Sequence, residues 1–184
     1  MKTSKLLSVA FFALAFGVAS YAQKTVMVGG APMYPTKNIV ENAVNSKDHT
    51  TLVAAVKAAG LVETLQTSGP FTVFAPTNAA FEKLPEGTVE SLLKPESLKT
   101  LQTVLTYHVV AGKTNAADVA KAIKAGHGKA TLKTVSGGTL TAWMKGKKIY
   151  ITDENGSMSE VTIADVNQSN GVIHVVDTVL LPKQ

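Results

Sequence analysis

The stretch GPFTVFAPTNAAFEKLP, residues 69–85, changes its hydrophobic period from that of a strand to that of a helix. Residues 71–75 alternate in a β-rich run, and Pro76 closes the run because proline cannot donate a hydrogen bond to a sheet. Thr77 occupies the position of a helix N-cap, and Phe81 follows at helical spacing. The stretch therefore predicts a strand that leads directly into a short helix, and it contains no obvious catalytic group.

Helical patterns dominate the first part of the chain and strand patterns the last part. Apolar residues at spacings of three and four predict helices near residues 39–44, 52–59, 98–108 and 116–125. From Lys129 onward the period falls to two, and the short apolar runs are separated by turn sequences at 136–138, 145–147, 153–156 and 170–171. Helices followed by strands indicate an α+β fold, with an antiparallel sheet assembly covered by helices on one side.

The N-terminus has the pattern of an export signal. Lys2 and Lys5 precede an apolar run over 6–18, and Ser20-Tyr21-Ala22 places small residues where a signal peptidase cleaves. We expect residues 1–22 to be a signal peptide and the protein to be exported, periplasmic or extracellular. No stable membrane span is expected after cleavage; an uncleaved N-terminal anchor is the alternative.

After the signal peptide, the sequence divides into two further segments. Residues 23–37 contain glycine and proline among small residues, so we expect an extended lead-in or linker, with the folded domain over 38–182. The chain has no cysteine, so packing and hydrogen bonding must stabilise it without disulfides.

The charge pattern argues against nucleic acid as a partner. All 18 basic residues are lysine, and without Lys2 and Lys5 the 16 remaining lysines face 13 carboxylates, a net charge of +3. Arginine is absent, although its planar guanidinium suits base and phosphate contacts best. Lys145, Lys147 and Lys148 form the densest cluster, which predicts a solvated hairpin turn or a weak attraction to acidic polysaccharide.

No motif for catalysis is present. The chain lacks a Gly-x-Ser-x-Gly elbow, a phosphate loop and a dinucleotide fingerprint. His49, His108, His127 and His174 show no metal-ligand spacing. Residues 153–157 are better explained as a hairpin turn than as a calcium loop. We therefore expect no catalytic residue, no cofactor and no metal.

Three segments resemble the signature motifs of the fasciclin domain family, an extracellular adhesion module. Residues 69–85 are similar to the first signature, Tyr107-His108-Val109-Val110 to the tyrosine-histidine motif, and NGVIHVVDTVLLP at 170–182 to the C-terminal signature. The resemblance covers roughly residues 38–182. It implies a fasciclin-like fold, an antiparallel β-sandwich or wedge with an N-terminal helical layer packed against it.

Tyr107, His108 and Asp177 are the candidate interaction or structural residues. The resemblance implies that the Tyr107-His108 motif contributes to cell adhesion and receptor contact in some members. The alternative is structural, with Tyr107 packed in the core and His108 satisfying a buried backbone group. Asp177 follows a strand and is placed to cap a turn or bind a loop amide, and His174 lies in a run typical of a central strand.

The resulting functional hypothesis is a noncatalytic adhesion or matrix-interaction module. Its partner would be a cell-surface or matrix protein or a polysaccharide. The alternatives are a small-molecule-binding or hydrolase-like protein on the same fold, and a homotypic assembly module that associates with itself. A deep pocket lined by His108 or His174 with an adjacent carboxylate would favour the enzyme.

Overall fold

The computed structural model describes residues 25–183. The predicted signal peptide lies outside the described residues. The helices are α1 (Ile39–Ala43), α2 (Thr50–Ala58), α3 (Val62–Gln66), α4 (Asn78–Glu82), α5 (Thr88–Leu92), α6 (Leu98–Tyr107) and α7 (Ala116–Ala125), with short 3-10 helices at Lys47–His49 and Pro95–Ser97. The strands are β1 (Val26–Val28), β2 (Ala31–Met33), β3 (Phe71–Pro76), β4 (Val109–Ala111), β5 (Lys129–Lys133), β6 (Thr139–Lys145), β7 (Lys148–Thr152), β8 (Met158–Gln168) and β9 (Gly171–Val176).

Local signals explain where the helices begin and end. The Thr77 hydroxyl accepts a hydrogen bond from the Ala80 N–H at 3.3 Å, so it caps α4 as the sequence predicts. Gly60, with φ of +70°, follows α2 and lets the Leu61 N–H return to the Val56 carbonyl at 3.1 Å.

Seven strands form one sheet in the order β4-β3-β9-β8-β7-β6-β5. Every neighbouring pair in this sheet is antiparallel except β3 and β9, which run parallel. The antiparallel prediction is therefore wrong at this central pair, since the long connection from β3 to β9 allows the parallel arrangement that a hairpin forbids. A bridge between Val110 and Thr134 brings the two edges of the sheet together, so the sheet forms a wedge close to a barrel.

Strand β3 separates two hydrophobic cores. Val73 and Ala75 pack on one side in the helical core, and Phe74 packs on the other side in the sheet core. The helical core also contains buried residues of β1, β2, α1, α2, α4 and α6, whereas α7 contributes Val119 and Ile123 to the sheet core. The N-terminal helical layer is thus present, but α7 covers a different part of the sheet.

The predicted lead-in is wrong for residues 26–33. These residues form the β1–β2 hairpin, and Val28 and Met33 are each only 3% exposed in the helical core. Gly29 and Gly30, with φ of +57° and +75°, supply the two positive φ angles that a tight hairpin turn needs. The glycines that suggested a linker therefore make the turn of a buried hairpin.

Within residues 25–183, no helix has the length and apolar character needed to cross a membrane.

Candidate functional site

Tyr107 ends α6 and is fully buried in the sheet core. Its hydroxyl donates to the Thr139 carbonyl at 2.7 Å and accepts from the Glu154 N–H at 3.1 Å. Burial raises the pKa of Tyr107 to about 12, although the hydrogen bond at Glu154 acts in the opposite direction. The side chain therefore joins α6 to β6 and to the loop between β7 and β8.

His108 is the C-cap residue of α6 and is 3% exposed. Its Nε2 accepts from the Leu180 N–H at 3.0 Å, so Nδ1 carries the proton and donates to the Val104 carbonyl at 2.8 Å. Burial lowers the pKa of His108 to about 4, against smaller raising effects of the Val104 carbonyl and the Asp153 carboxylate. At neutral pH the imidazole is therefore neutral, and it ties α6 to the chain that follows β9.

Asp177 opens the C-terminal segment, residues 177–183. Its Oδ1 accepts from the Glu160 N–H at 2.8 Å and from the Ser159 hydroxyl at 3.2 Å. Its Oδ2 accepts from Lys83 Nζ at 3.1 Å, in an ion pair whose two side chains are 52% (Lys83) and 41% (Asp177) exposed. Asp177 therefore binds a backbone amide of β8, not the loop amide that the sequence suggested, and it also reaches the surface.

The three candidate residues meet around the C-terminal segment, but they do not form one exposed patch. His108 holds Leu180, and Asp153, in the loop that Tyr107 also contacts, accepts from the Leu181 N–H at 2.9 Å. Because Tyr107 and His108 are buried, a partner that docks on the folded domain reaches only Asp177 directly.

A more exposed constellation lies on the outer face of β5–β8. We call it the lysine–aromatic face, and it consists of Lys129, Lys133, Thr141, Trp143, Lys145, Lys148, Tyr150, Thr152 and Glu160. The rings of Trp143 and Tyr150 stack with their centroids 4.8 Å apart and their planes at 21°. Trp143 Nε1 donates to the Thr152 hydroxyl at 2.9 Å, which fixes the indole on the sheet.

This face is positively charged. Lys148 Nζ lies 2.7 Å from Glu160, whose other oxygen accepts from the Tyr150 hydroxyl at 3.1 Å. The hydrogen bond from Lys148 is the largest cause of the lowered pKa of Glu160. Four lysines against one glutamate leave the face with a charge of +3, and among the described residues only Lys148 of these lysines is ion-paired.

This face was not predicted from the sequence, because the short runs after Lys129 were described by their apolar residues without separating the two faces of each strand. Positions three apart point to opposite faces of a strand. Leu140 and Ala142 face the sheet core, whereas Thr141 and Trp143 face outward. Odd-numbered positions of β6 face outward and even-numbered positions face the sheet core, so counting along the strand would have assigned Trp143 to the outer face.

The helical core contains an apolar cavity of about 90 Å³ that His108 also lines. Both ring nitrogens of His108 are already hydrogen-bonded, and no aspartate or glutamate is among the residues that line this cavity. His174 is buried in β9, where Nε2 contacts the Thr114 carbonyl at 2.9 Å. The arrangement that would favour a hydrolase is thus not formed around either histidine, and residues 25–183 contain no cluster of three metal-ligating side chains.

The chain belongs to the fasciclin domain family, whose model matches residues 47–182. It is 47% identical over 160 residues to "Protein sll1483" of Synechocystis sp.. This alignment covers 87% of this chain and 82% of that protein. It is 37% identical over 145 residues to the immunogenic protein MPB70 of Mycobacterium bovis, covering 76% of this chain and 66% of that protein.

A solved FAS1 domain pair from the insect cell adhesion molecule fasciclin I has the same fold. The TM-score is 0.69, with 19% sequence identity, over 79% of this chain and 51% of that chain. The prediction of a fasciclin-like α+β fold is therefore confirmed.

Proposed function

We propose that this protein is an exported, noncatalytic adhesion or matrix-interaction module that binds an anionic polysaccharide through its lysine–aromatic face. The observation that carries the proposal is the stacked pair of Trp143 and Tyr150 on an outward sheet face with a charge of +3. Export rests on the signal pattern of residues 1–22.

Each part of the face suits a charged sugar polymer. An aromatic ring offers a flat apolar surface to the C–H face of a sugar ring, while the lysines attract its carboxylate or sulfate groups. The hydroxyls of Thr141 and Thr152 lie beside the indole and offer hydrogen bonds at the same level of the sheet. Since lysine acts as a mobile point charge, the face selects for charge more than for one fixed anion geometry.

Family membership supports an adhesive role of this general kind. The structural neighbour is an insect cell adhesion molecule, and its likeness to this chain lies in the fold. The absence of carboxylates from the cavity lining gives no support to the hydrolase alternative. Self-association stays a prediction, which light scattering would test.

The experiment measures binding of the purified protein to alginate and dextran sulfate, with neutral dextran as the comparison polymer. Trp143 is the single tryptophan of the chain, so its fluorescence reports directly on the face. We expect both acidic polymers to bind, added salt to weaken binding, and Trp143→Ala to weaken it about tenfold, measured by calorimetry.

Charge alone is tested by two matched triple variants. Lys129, Lys133 and Lys145 are changed to Gln in one, and Lys99, Lys121 and Lys124, which are exposed on α6 and α7, are changed to Gln in the other. Binding should be lost in the first variant and largely kept in the second. Equal losses in both variants, or equal affinity for neutral dextran, would contradict the proposal.

A further inference from the structure

A groove of about 410 Å³ lies on the lysine–aromatic face beside the stacked aromatic pair. It is lined by Lys129, Thr141, Trp143 and Thr152. Lys129 on β5 and Tyr150 on β7 both pair with Trp143, from opposite sides of β6. Since Lys129 lines the groove and Tyr150 does not, the groove lies on the β5 side of the indole, away from the stacked tyrosine ring. A ligand in the groove can therefore contact one face of the indole.

Two hydroxyl groups line the same groove. Thr141 and Thr152 are paired on β6 and β7, two positions along each strand from the aromatic pair. The Thr152 hydroxyl accepts from Trp143 Nε1 at 2.9 Å, and its own proton can be donated to a ligand oxygen. The Thr141 hydroxyl can donate or accept. An indole face beside two hydroxyls suits a sugar ring better than a purely apolar ligand.

The groove has a positive charge at its β5 side. Lys129 is exposed and forms no ion pair with the residues that the structure describes. Directly opposite residues on antiparallel strands have Cβ atoms about 5 Å apart, so the Lys129 ammonium can reach a sugar stacked on Trp143. On the other side of the aromatic pair, Lys148 is already paired with Glu160. A negatively charged ligand group thus finds its unpaired lysine on the groove side.

We propose that this groove binds one uronic acid unit, with its ring on the indole of Trp143, its carboxylate against Lys129 and a hydroxyl bonded to Thr141 or Thr152. The inference rests on the proposed binding of an anionic polysaccharide, and it identifies the subsite and the class of sugar. The carboxylate of a uronic acid is bonded directly to a ring carbon, so it lies at the edge of the stacked ring, where Lys129 reaches it. A volume of about 410 Å³ is near the lower end for ligand sites, which suits one sugar unit.

The test uses methyl glucuronide and its methyl ester, which have the same ring and differ in charge. The indole N–H signal of Trp143, the single tryptophan, is followed by NMR while each compound is added to the full protein. The salt concentration is about 0.1 M, at which charges more than about 10 Å apart are largely screened. We expect both compounds to shift the signal, and the acid to bind about threefold more tightly because it gains an exposed ion pair.

Two matched variants assign this preference to one lysine. Lys129→Gln should lower the affinity for the acid to that for the ester. Lys133→Gln removes a lysine of the same strand and face about 13 Å away, so it should keep the preference. Both lysines are exposed, so both variants should fold. Thr141→Val should weaken the binding of both compounds by the same factor, because the hydroxyl contacts the sugar and not its charge.

The outcomes separate this subsite from the binding of the polymer. An equal affinity for acid and ester, an equal loss of preference in Lys129→Gln and Lys133→Gln, or an unshifted Trp143 signal would overturn the subsite, even where alginate binds to the face. A preference that depends on Lys129, in a protein that does not bind alginate, would support the subsite and contradict the polymer as its ligand.

Discussion

Acidification should destabilise the fold through His108. The unfolded imidazole titrates near its ordinary pKa of 6.5, whereas burial lowers the folded pKa to about 4. Between these two values the unfolded chain binds a proton that the folded chain does not, so the free energy of unfolding decreases as the pH falls. Each unit of pKa difference is worth about 1.4 kcal/mol, which gives a loss of about 3 kcal/mol between pH 6.5 and pH 4.

Urea unfolding at a series of pH values would measure this loss, with far-UV circular dichroism as the signal. Burial also lowers the pKa values of His49 and His174, so these residues add to the decrease in the same direction. The contribution of His108 is therefore read from the difference between the unchanged protein and His108→Gln. Glutamine has a donor and an acceptor to replace the contacts with Val104 and Leu180, but it does not titrate.

The control is His127→Gln, since His127 is exposed in the turn after α7. Its pH profile should follow that of the unchanged protein. The unchanged protein should lose about 3 kcal/mol more than His108→Gln between pH 6.5 and pH 4. Parallel profiles for these two proteins would refute the argument that the buried neutral imidazole of His108 controls the acid sensitivity.

Two further predictions concern the parallel strand pair and Asp177. A Cβ on Gly171 would lie 2.1 Å from the Phe71 carbonyl oxygen. Gly171→Ala should therefore destabilise the fold by about 1–3 kcal/mol, measured by thermal unfolding. An unchanged melting temperature would count against the close approach of β3 and β9. Asp177→Ala should cost about 1–3 kcal/mol because the Glu160 N–H loses its acceptor. Lys83→Met should change stability by less than about 1 kcal/mol, because it removes an exposed ion pair together with exposed hydrogen bonds to the Asp177 carbonyl and the Thr178 hydroxyl, which water can replace. Equal costs of the two substitutions in urea unfolding would show that Asp177 stabilises the fold through its contacts with Lys83 and not through the Glu160 N–H.

Periodicity and turn residues predicted most of the local structure. The sequence shows the strand-to-helix change at residues 69–85 and helix α7, because both depend on contacts close along the chain. It also shows that β9 lies inside the sheet, because a strand that is buried on both faces is apolar at successive positions. The β1–β2 hairpin was missed because its strands have only three residues each, too few for alternation to be recognised.

The features that were not predicted from the sequence depend mainly on contacts between segments that are distant along the chain. The parallel pairing of β3 with β9 joins residues about a hundred positions apart, and no local pattern specifies it. The stacked pair on the lysine–aromatic face is different, since strict counting along β6 was sufficient to place Trp143 outward.

The position of β9 in the sheet also determines the order in which the fold can be completed during synthesis. The strand between β3 and β8 is the last strand along residues 25–183, because it spans Gly171–Val176. Without β9, β3 lacks its partner on that side, and the two cores that β3 divides lack the buried side chains that β9 contributes to each. Completion of both cores therefore depends on a strand late in the described chain, so most of residues 25–176 must be present before the fold is complete.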